Sequence, residues 1–455
     1  MAKPIQIGNA QGFWGDQTGA SARLVQQHPQ LDYLTLDYLS EVSMSIMAIQ
    51  KEKNPSHGFA RDFIDVVNSL IPFWKQGSKV KVISNAGGLN PLGCGQACAE
   101  LLRNKECTHL KIGIVSGDDV LALIKADPAN TLFNNLETKE SAKKIVDSMV
   151  TANAYLGAKS ISDALLQGAD IVITGRVADP SLTVGPCVAH YGWSWKDYHK
   201  LAGATVAGHL IECGTQVTGG ISTQWLSLKD QANIGFPIVE IEENGDFTIT
   251  KPEGTTGLVN AETVKEQLLY EIGDPANYLS PDTRVSFLSL KLEQTGKDRV
   301  KISGAEGSAP PNTYKVSATY RDGFKSEATL AIFGRDAYKK GKQCGNIVLE
   351  KLHQAGVDLQ RSSIECIGGG DIVPGIVNQK DTKECLLRIA VADPREEALE
   401  RFAKEIAPLV TSGPQGTTGY ITGRPHIRPV FGYWPCLINE GSVVPKVQII
   451  EVKKR

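Results

Sequence analysis

Two kinds of apolar spacing divide the chain. Up to about residue 220, short runs rich in Val, Ile and Leu recur at Ile5–Ile7, Tyr33–Leu36, Val80–Ile83, Leu110–Val115 and Ile171–Thr174. Between them, Ala20–Gln27, Arg61–Trp74, Gly95–Arg103 and Ser141–Leu156 read as amphipathic helices. Strand–helix–strand alternation implies parallel strands with helices on both faces. The second half changes character. In VEIEENGDFTIT, Asn244-Gly245 stands between two alternating runs, and a type I′ turn needs positive φ at both central residues. KVSATYRDGFKSEATLAI repeats the device with Asp322-Gly323, and FLSLKLEQTGKDRVKISG reads as a third hairpin. Helices resume at Ala337–Gln354 and Glu396–Pro408. The expected fold is α/β: a parallel sheet with flanking helices in residues 1–235, then an α+β antiparallel domain in 236–455.

Composition narrows the function classes. Over 455 residues the formal net charge is -2, and no basic block exceeds Lys453-Lys454-Arg455, so no nucleic-acid partner is expected. No apolar h-region follows Lys3, and no apolar run approaches the roughly 18 residues of a membrane helix. Nine cysteines, an odd and scattered set, suit reduced thiols in a cytoplasm.

Ligands in open parallel sheets bind beyond the carboxyl ends of the strands. The five segments at those ends are GNAQGFWGDQTGA, DYLSE with Asp37 and Glu41, SNAGGLNPLGCG, SGDD and TGRVADPS. All are rich in Gly, Asn, Asp or Arg, which is also ordinary turn chemistry. Five along one sheet edge favour a shared small-molecule site. Its candidate binding residues are Gly12, Asp16, Asn85, Gly87, Gly88, Asn90, Gly117, Asn153, Arg176, Asp179 and Thr218. The apolar run of ADIVITGRVADPS stops at Thr-Gly-Arg, so Arg176 is placed to clamp a carboxylate or phosphate, or else to pair with Asp179 and fix the turn. Asp118 or Glu212 is the candidate base, and His209 or Tyr155 the candidate acid.

Asp119, beside Asp118, is a further candidate base or metal carboxylate, and three of these residues have a structural alternative. Asp119 suits a helix N-cap, Tyr155 a packed aromatic and His209 a satisfied core histidine. His209 and Glu212, three apart on one helix face, lack further ligands, so no metal is assigned. Cys213 is a candidate nucleophile; Cys94 and Cys98 suit a buried helix face. KPEGTTG, with Lys251, reads as an anion-holding loop. There is no P-loop, and GCGQAC lacks the third glycine of a dinucleotide fingerprint, which keeps a nucleotide-dependent enzyme using residues 79–119 as an alternative.

IGNAQGFWGD, TLDYLSEVSMSIMA, GFARDF, SNAGGLNPLGC, NAYLGA, TGRVADPSLTVGP, AGHLIECGTQVTGG, GFPIVEI and LLYEIGDPANYLSPD stand in this order. Together they resemble the acyclic terpene utilisation protein AtuA family, formerly a domain of unknown function. The resemblance implies catabolism of acyclic terpenes through acyl-CoA intermediates, beside a biotin-dependent carboxylase and a hydratase. The step it leaves open is cleavage or rearrangement of a branched hydroxyacyl-CoA. It carries over no catalytic residues and no cofactor. The expectation is therefore a cytoplasmic, homo-oligomeric enzyme of C–C lyase or hydro-lyase type, acting on an anionic acyl-CoA or related carboxylate. Arg176 and the amides of residues 85–95 would hold anionic groups, and Gly12–Asp16 would cover the reacting end. A non-catalytic partner of acyl-CoA carboxylase subunits is the remaining alternative.

Overall fold

The computed structural model describes residues 3–453. It resolves into two compact units: the chain up to Thr319 together with Tyr433 onward, and Tyr320–Gly432.

The larger unit is built on a ten-stranded sheet. Its centre is parallel: β1 (Ile5–Asn9), β2 (Tyr33–Leu36), β3 (Lys81–Ser84), β6 (Ile171–Thr174) and β4 (Lys111–Ser116), in that spatial order. These are the five apolar runs of the first half. The strands are buried along nearly their whole length because helices cover both faces. Side chains alternate along β4, and its neighbours show the two layers. A Cβ on Gly95, in the helix Pro91–Asn104, would fall 2.2 Å from the Ile114 side chain. A Cβ on Gly113 would meet Ala164, in the helix Lys159–Leu166, at 2.9 Å.

Antiparallel strands extend both edges of the sheet. β7 (Ile238–Ile241) pairs with β1 and turns through Asn244-Gly245 into β8 (Phe247–Thr250). The hairpin Lys291–Gly296 and Arg299–Ser303 follows on that side, and Lys446–Glu451 closes the other edge against β4. Residues 236–319, assigned from the sequence to the second domain, thus lie in the larger unit.

The smaller unit is α+β. Arg361–Ile367, Glu384–Asp393, the second half of Thr313–Phe333 and Thr417–Tyr420 pair antiparallel. One face of the sheet carries Ala328, Leu330, Ile332, Leu387 and Ile389 into a core with Val348 and Phe402 of the helices Ala337–Gln354 and Glu396–Ile406.

Two local expectations are corrected. Asp322-Gly323 does not turn a hairpin: Thr313–Phe333 is one strand of 21 residues, and Gly323 takes φ +77° inside it. A Cβ there would lie 2.7 Å from the Asp393 carbonyl oxygen, so glycine serves close backbone approach instead of a turn. Ser141–Leu156 is not a helix. It forms short 3-10 turns and then β5 (Met149–Ala154), whose Thr151 hydroxyl meets that of Thr319 at 2.7 Å.

Candidate functional site at the strand ends

The carboxyl ends of β2, β3, β4 and β6 converge on Arg176. Its guanidinium is buried, donating to the Leu39 carbonyl at 2.6 Å and to Asp179 at 2.9 Å. Its amide donates to Asp118 Oδ2 at 2.9 Å, and Asn153 Nδ2 donates to the same oxygen at 2.8 Å. Asn85, at the end of β3, donates to Asp37 at 2.6 Å and accepts from the Tyr38 amide at 2.7 Å, joining β3 to β2. Burial raises Asp118 to about 6. Burial, then the charge of Asp179, pushes Asp37 well above the usual carboxylate range despite the opposing pull of Arg176.

Tyr155 lies over this guanidinium, 4.1 Å from its ring centroid to the Arg176 central carbon. Its hydroxyl donates to Glu41 Oε1 at 2.7 Å. Ser40 caps the helix Glu41–Lys53 through a reciprocal bond with Ser43, which fixes Glu41 in the first turn. Burial opposes the charge of Glu41, but the Tyr155 hydroxyl, its own helix amide, Arg176 and Lys315 together hold its pKa below the ordinary value. Asp179, Glu41 and Lys315 keep side-chain exposures of 32%, 39% and 47%, so this cluster reaches solvent.

The other wall is the end of the helix Tyr198–Glu212, buried from Leu201 to Ile211. Two glycines seat it. A Cβ on Gly203 would fall 2.1 Å from the Gly245 carbonyl oxygen of the β7–β8 turn, and one on Gly208 would fall 2.8 Å from Pro180, four residues past Arg176. The next residue, His209, contacts Glu212 Oε1 through Nδ1 at 3.1 Å and the Gln267 backbone carbonyl through Nε2 at 2.9 Å. A carbonyl only accepts, so Nε2 carries the hydrogen. Burial lowers His209 to about 4, so the ring is neutral near pH 7 and Nδ1 presents a lone pair. Glu212 must then supply the proton in the Nδ1–Oε1 contact. Burial, followed by the charges of Asp179 and Glu271, raises Glu212 well above its ordinary value, which favours the protonated carboxyl. One proton is shared between Glu212 Oε1 and His209 Nδ1, and Glu212 Oε2 has no partner among the described residues.

The pattern of the whole chain decides its kinship. The model of the acyclic terpene utilisation family protein AtuA matches residues 5–449. The chain belongs to the AtuA family. Membership carries a role in acyclic terpene utilisation. Searches of curated proteins and of solved structures returned no significant match.

Several candidates in this AtuA-family chain are engaged by the fold itself. Asn90 caps the helix Pro91–Asn104, accepting from the Gly93 amide at 3.0 Å. The amides of Ala86, Gly88, Leu89 and Asn90 are already bonded to Ser84, Asn85, Gly58 and Gly87. These four amides are spent on the protein's own acceptors. Gly87 packs against the Thr174 carbonyl, Gly88 (φ +49°) against Met47, and Gly117 (φ +102°) against Val444. Gly93 and Gly95 lie inside the helix, which removes the dinucleotide loop. Gly12 packs on Cys213 and donates to Asp16 at 3.1 Å, so the loop after β1 covers the end of the His209 helix. Thr218 donates to the Gly235 carbonyl at 2.7 Å. Lys251 is consumed by the Thr255 carbonyl and Asp298, at 2.9 and 3.2 Å.

Burial raises the Cys213 thiol, which opposes thiolate formation. Cys94 and Cys98 are buried. Among the described residues, no group of His, Cys, Asp and Glu is arranged to hold a metal ion, and no helix is long and apolar enough to cross a membrane.

A cavity of about 270 Å³ adjoins the site, lined by Ala48, Lys51, Leu89, Asp119, Leu121 and Asn153 among others. Asn153 Oδ1 is buried without a partner among the described residues. Asp37, Glu41, Gln267 and Lys315 join the site beyond the candidates chosen from the sequence. Asp37 and Glu41 were within reach, because they follow β2. Gln267 acts through its backbone carbonyl, and no side-chain pattern marks that.

Proposed function

We propose that this protein is a catabolic enzyme of acyclic terpene breakdown, of C–C lyase or hydro-lyase type. Its substrate would be a branched hydroxyacyl thioester or related carboxylate, and its acid–base group the Glu212–His209 pair. The observation that carries the reading is the single proton of that pair beside an unpartnered carboxyl oxygen. Elimination or cleavage next to a thioester needs one group to take a proton from a hydroxyl or carbon and return it later. A protonated Glu212 backed by the Nδ1 lone pair can do both: as Oε2 takes the substrate proton the Oε1 proton passes to Nδ1, leaving one positive charge on the pair until the proton is returned. Deprotonating the pair leaves one negative charge, within the field of Arg176.

The reacting end is best read as neutral, a hydroxyl beside a thioester carbonyl. Both terminal nitrogens of Arg176 are already bonded, and Nε lacks a partner among the described residues. Arg176 therefore acts by holding Asp179 and lowering the cost of nearby negative charge, and the 270 Å³ cavity is the candidate seat for the branched chain.

Glu212→Gln tests this. The amide still donates to Nδ1 but carries no transferable proton. With a CoA thioester of a branched hydroxy acid, turnover should drop about 10²–10⁴-fold while the thermal midpoint holds. Turnover equal to wild type would overturn the assignment.

A further inference from the structure

The smaller unit carries a basic groove that the acid–base site does not use. It is a cavity of about 290 Å³, lined by Lys325, Glu327, Ala390, Arg424, His426 and Arg428 among others. Arg424, His426 and Arg428 are exposed, and the intervening Pro425 and Ile427 are half-buried. Alternation of this kind puts the three basic side chains on one face of an extended segment. Ile427 anchors the other face by packing on the unit's apolar core. Pro425 and Pro429 disfavour helical backbone at the residues before them, which are Arg424 and Arg428. Both arginines thus stand on a stiffened strip.

The sheet supplies the opposite side. Lys325 and Glu327 point outward on either side of the buried Ser326. The fixed charges are then Lys325, Arg424 and Arg428 against Glu327. None of these four side chains has a hydrogen-bond or ion-pair partner among the described residues. Elsewhere in the same unit, Arg361, Arg388, Arg395 and Arg401 are each paired with a carboxylate.

We propose that this groove binds a phosphate ester or diphosphate, a compact oxyanion with more than one negative charge. Two planar guanidinium forks and an ammonium converging on one cavity match the geometry of phosphoryl oxygens, and a surplus of cations selects a multiply charged ligand. The groove stands independently of the acid–base reading.

Inorganic pyrophosphate titrated into the intact protein by calorimetry at low ionic strength is the test. One site is expected, with affinity falling as salt is added. The double variant Arg424→Ala/Arg428→Ala should lose about tenfold or more in affinity with an unchanged unfolding midpoint, since both residues are exposed. Glu327→Gln should tighten binding by removing the one opposing charge. No binding by the wild type, undiminished binding by the double variant, or equal affinity for tricarballylate would overturn the assignment.

Discussion

Asp282 and Glu212 are both buried acids of the larger unit, and their surroundings differ in one respect. Asp282 accepts from the Ala158 amide at 2.7 Å through one oxygen and bonds the Ser181 hydroxyl through the other. It ties the starts of two helices together, Lys159–Leu166 and Ser181–Tyr191. Glu212 shares one oxygen with His209 and leaves the other alone. Burial raises both, but only to about 6 for Asp282, where the Ser181 and Ala158 bonds oppose it. Burial and a perturbed proton affinity are therefore common to a structural clamp and a candidate reaction centre. What separates them is completeness: a clamp uses every acceptor it has, and a site keeps one in reserve.

The harshest test of that contrast removes the cation at the centre of the incomplete site. Arg176→Ala should leave Asp179 and Asp37 without their positive neighbour and free the Leu39 carbonyl. We expect a loss of about 2–3 kcal/mol in urea unfolding, because the buried Leu39 carbonyl loses its donor and the half-buried Asp179 its counter-charge. A variant as stable as wild type would show that the cluster is better hydrated than its burial implies.

At the complete site, Asp282→Ala should cost about 2 kcal/mol by orphaning the Ala158 amide and the Ser181 hydroxyl, whereas Asp282→Asn can keep both bonds. The pH dependence sharpens the distinction. The folded value of about 6 lies above the ordinary 3.8, so the folded state binds the proton more tightly than the unfolded chain. The stabilisation from Asp282 is full below about pH 4 and is lost as pH rises towards 6. Asparagine cannot titrate, so unfolding of Asp282→Asn between pH 4 and 6 should lack this component of the slope. An identical slope in both proteins would contradict the raised value. The smallest effect belongs to a solvent-exposed pair: Lys159→Ala, opposite Asp163 at 3.0 Å, should shift stability by less than about 0.5 kcal/mol. A larger loss there would mean that completeness matters at the surface too.

The sequence was most legible where burial is symmetric. The five parallel strands are apolar on both faces, so their residue types alone mark them. It was least legible where one residue type serves two geometries. Asp322-Gly323 carries a hairpin signature, but the backbone of Asp393-Pro394 pressing on Gly323 uses the same glycine inside a continuous strand. Met149–Ala154 reads as helix because it holds alanine and methionine, and it pairs as a strand with a segment far along the chain. The site shows the same division. Arg176, Asp179, His209 and Glu212 were legible from a strand end and an i, i+3 spacing. The proton count of the pair was not, because it depends on a carbonyl contributed at Gln267.

The closing strand Lys446–Glu451 has a kinetic consequence. It covers the edge of β4, with Lys446 opposite Ser116, a pairing across roughly 330 positions that is slow to form. Until that segment arrives, the backbone of β4 is an open template for any other extended chain. The loop bearing Asp118 leaves from the end of that same strand, so the charged centre lies beside the edge that this distant segment must cover.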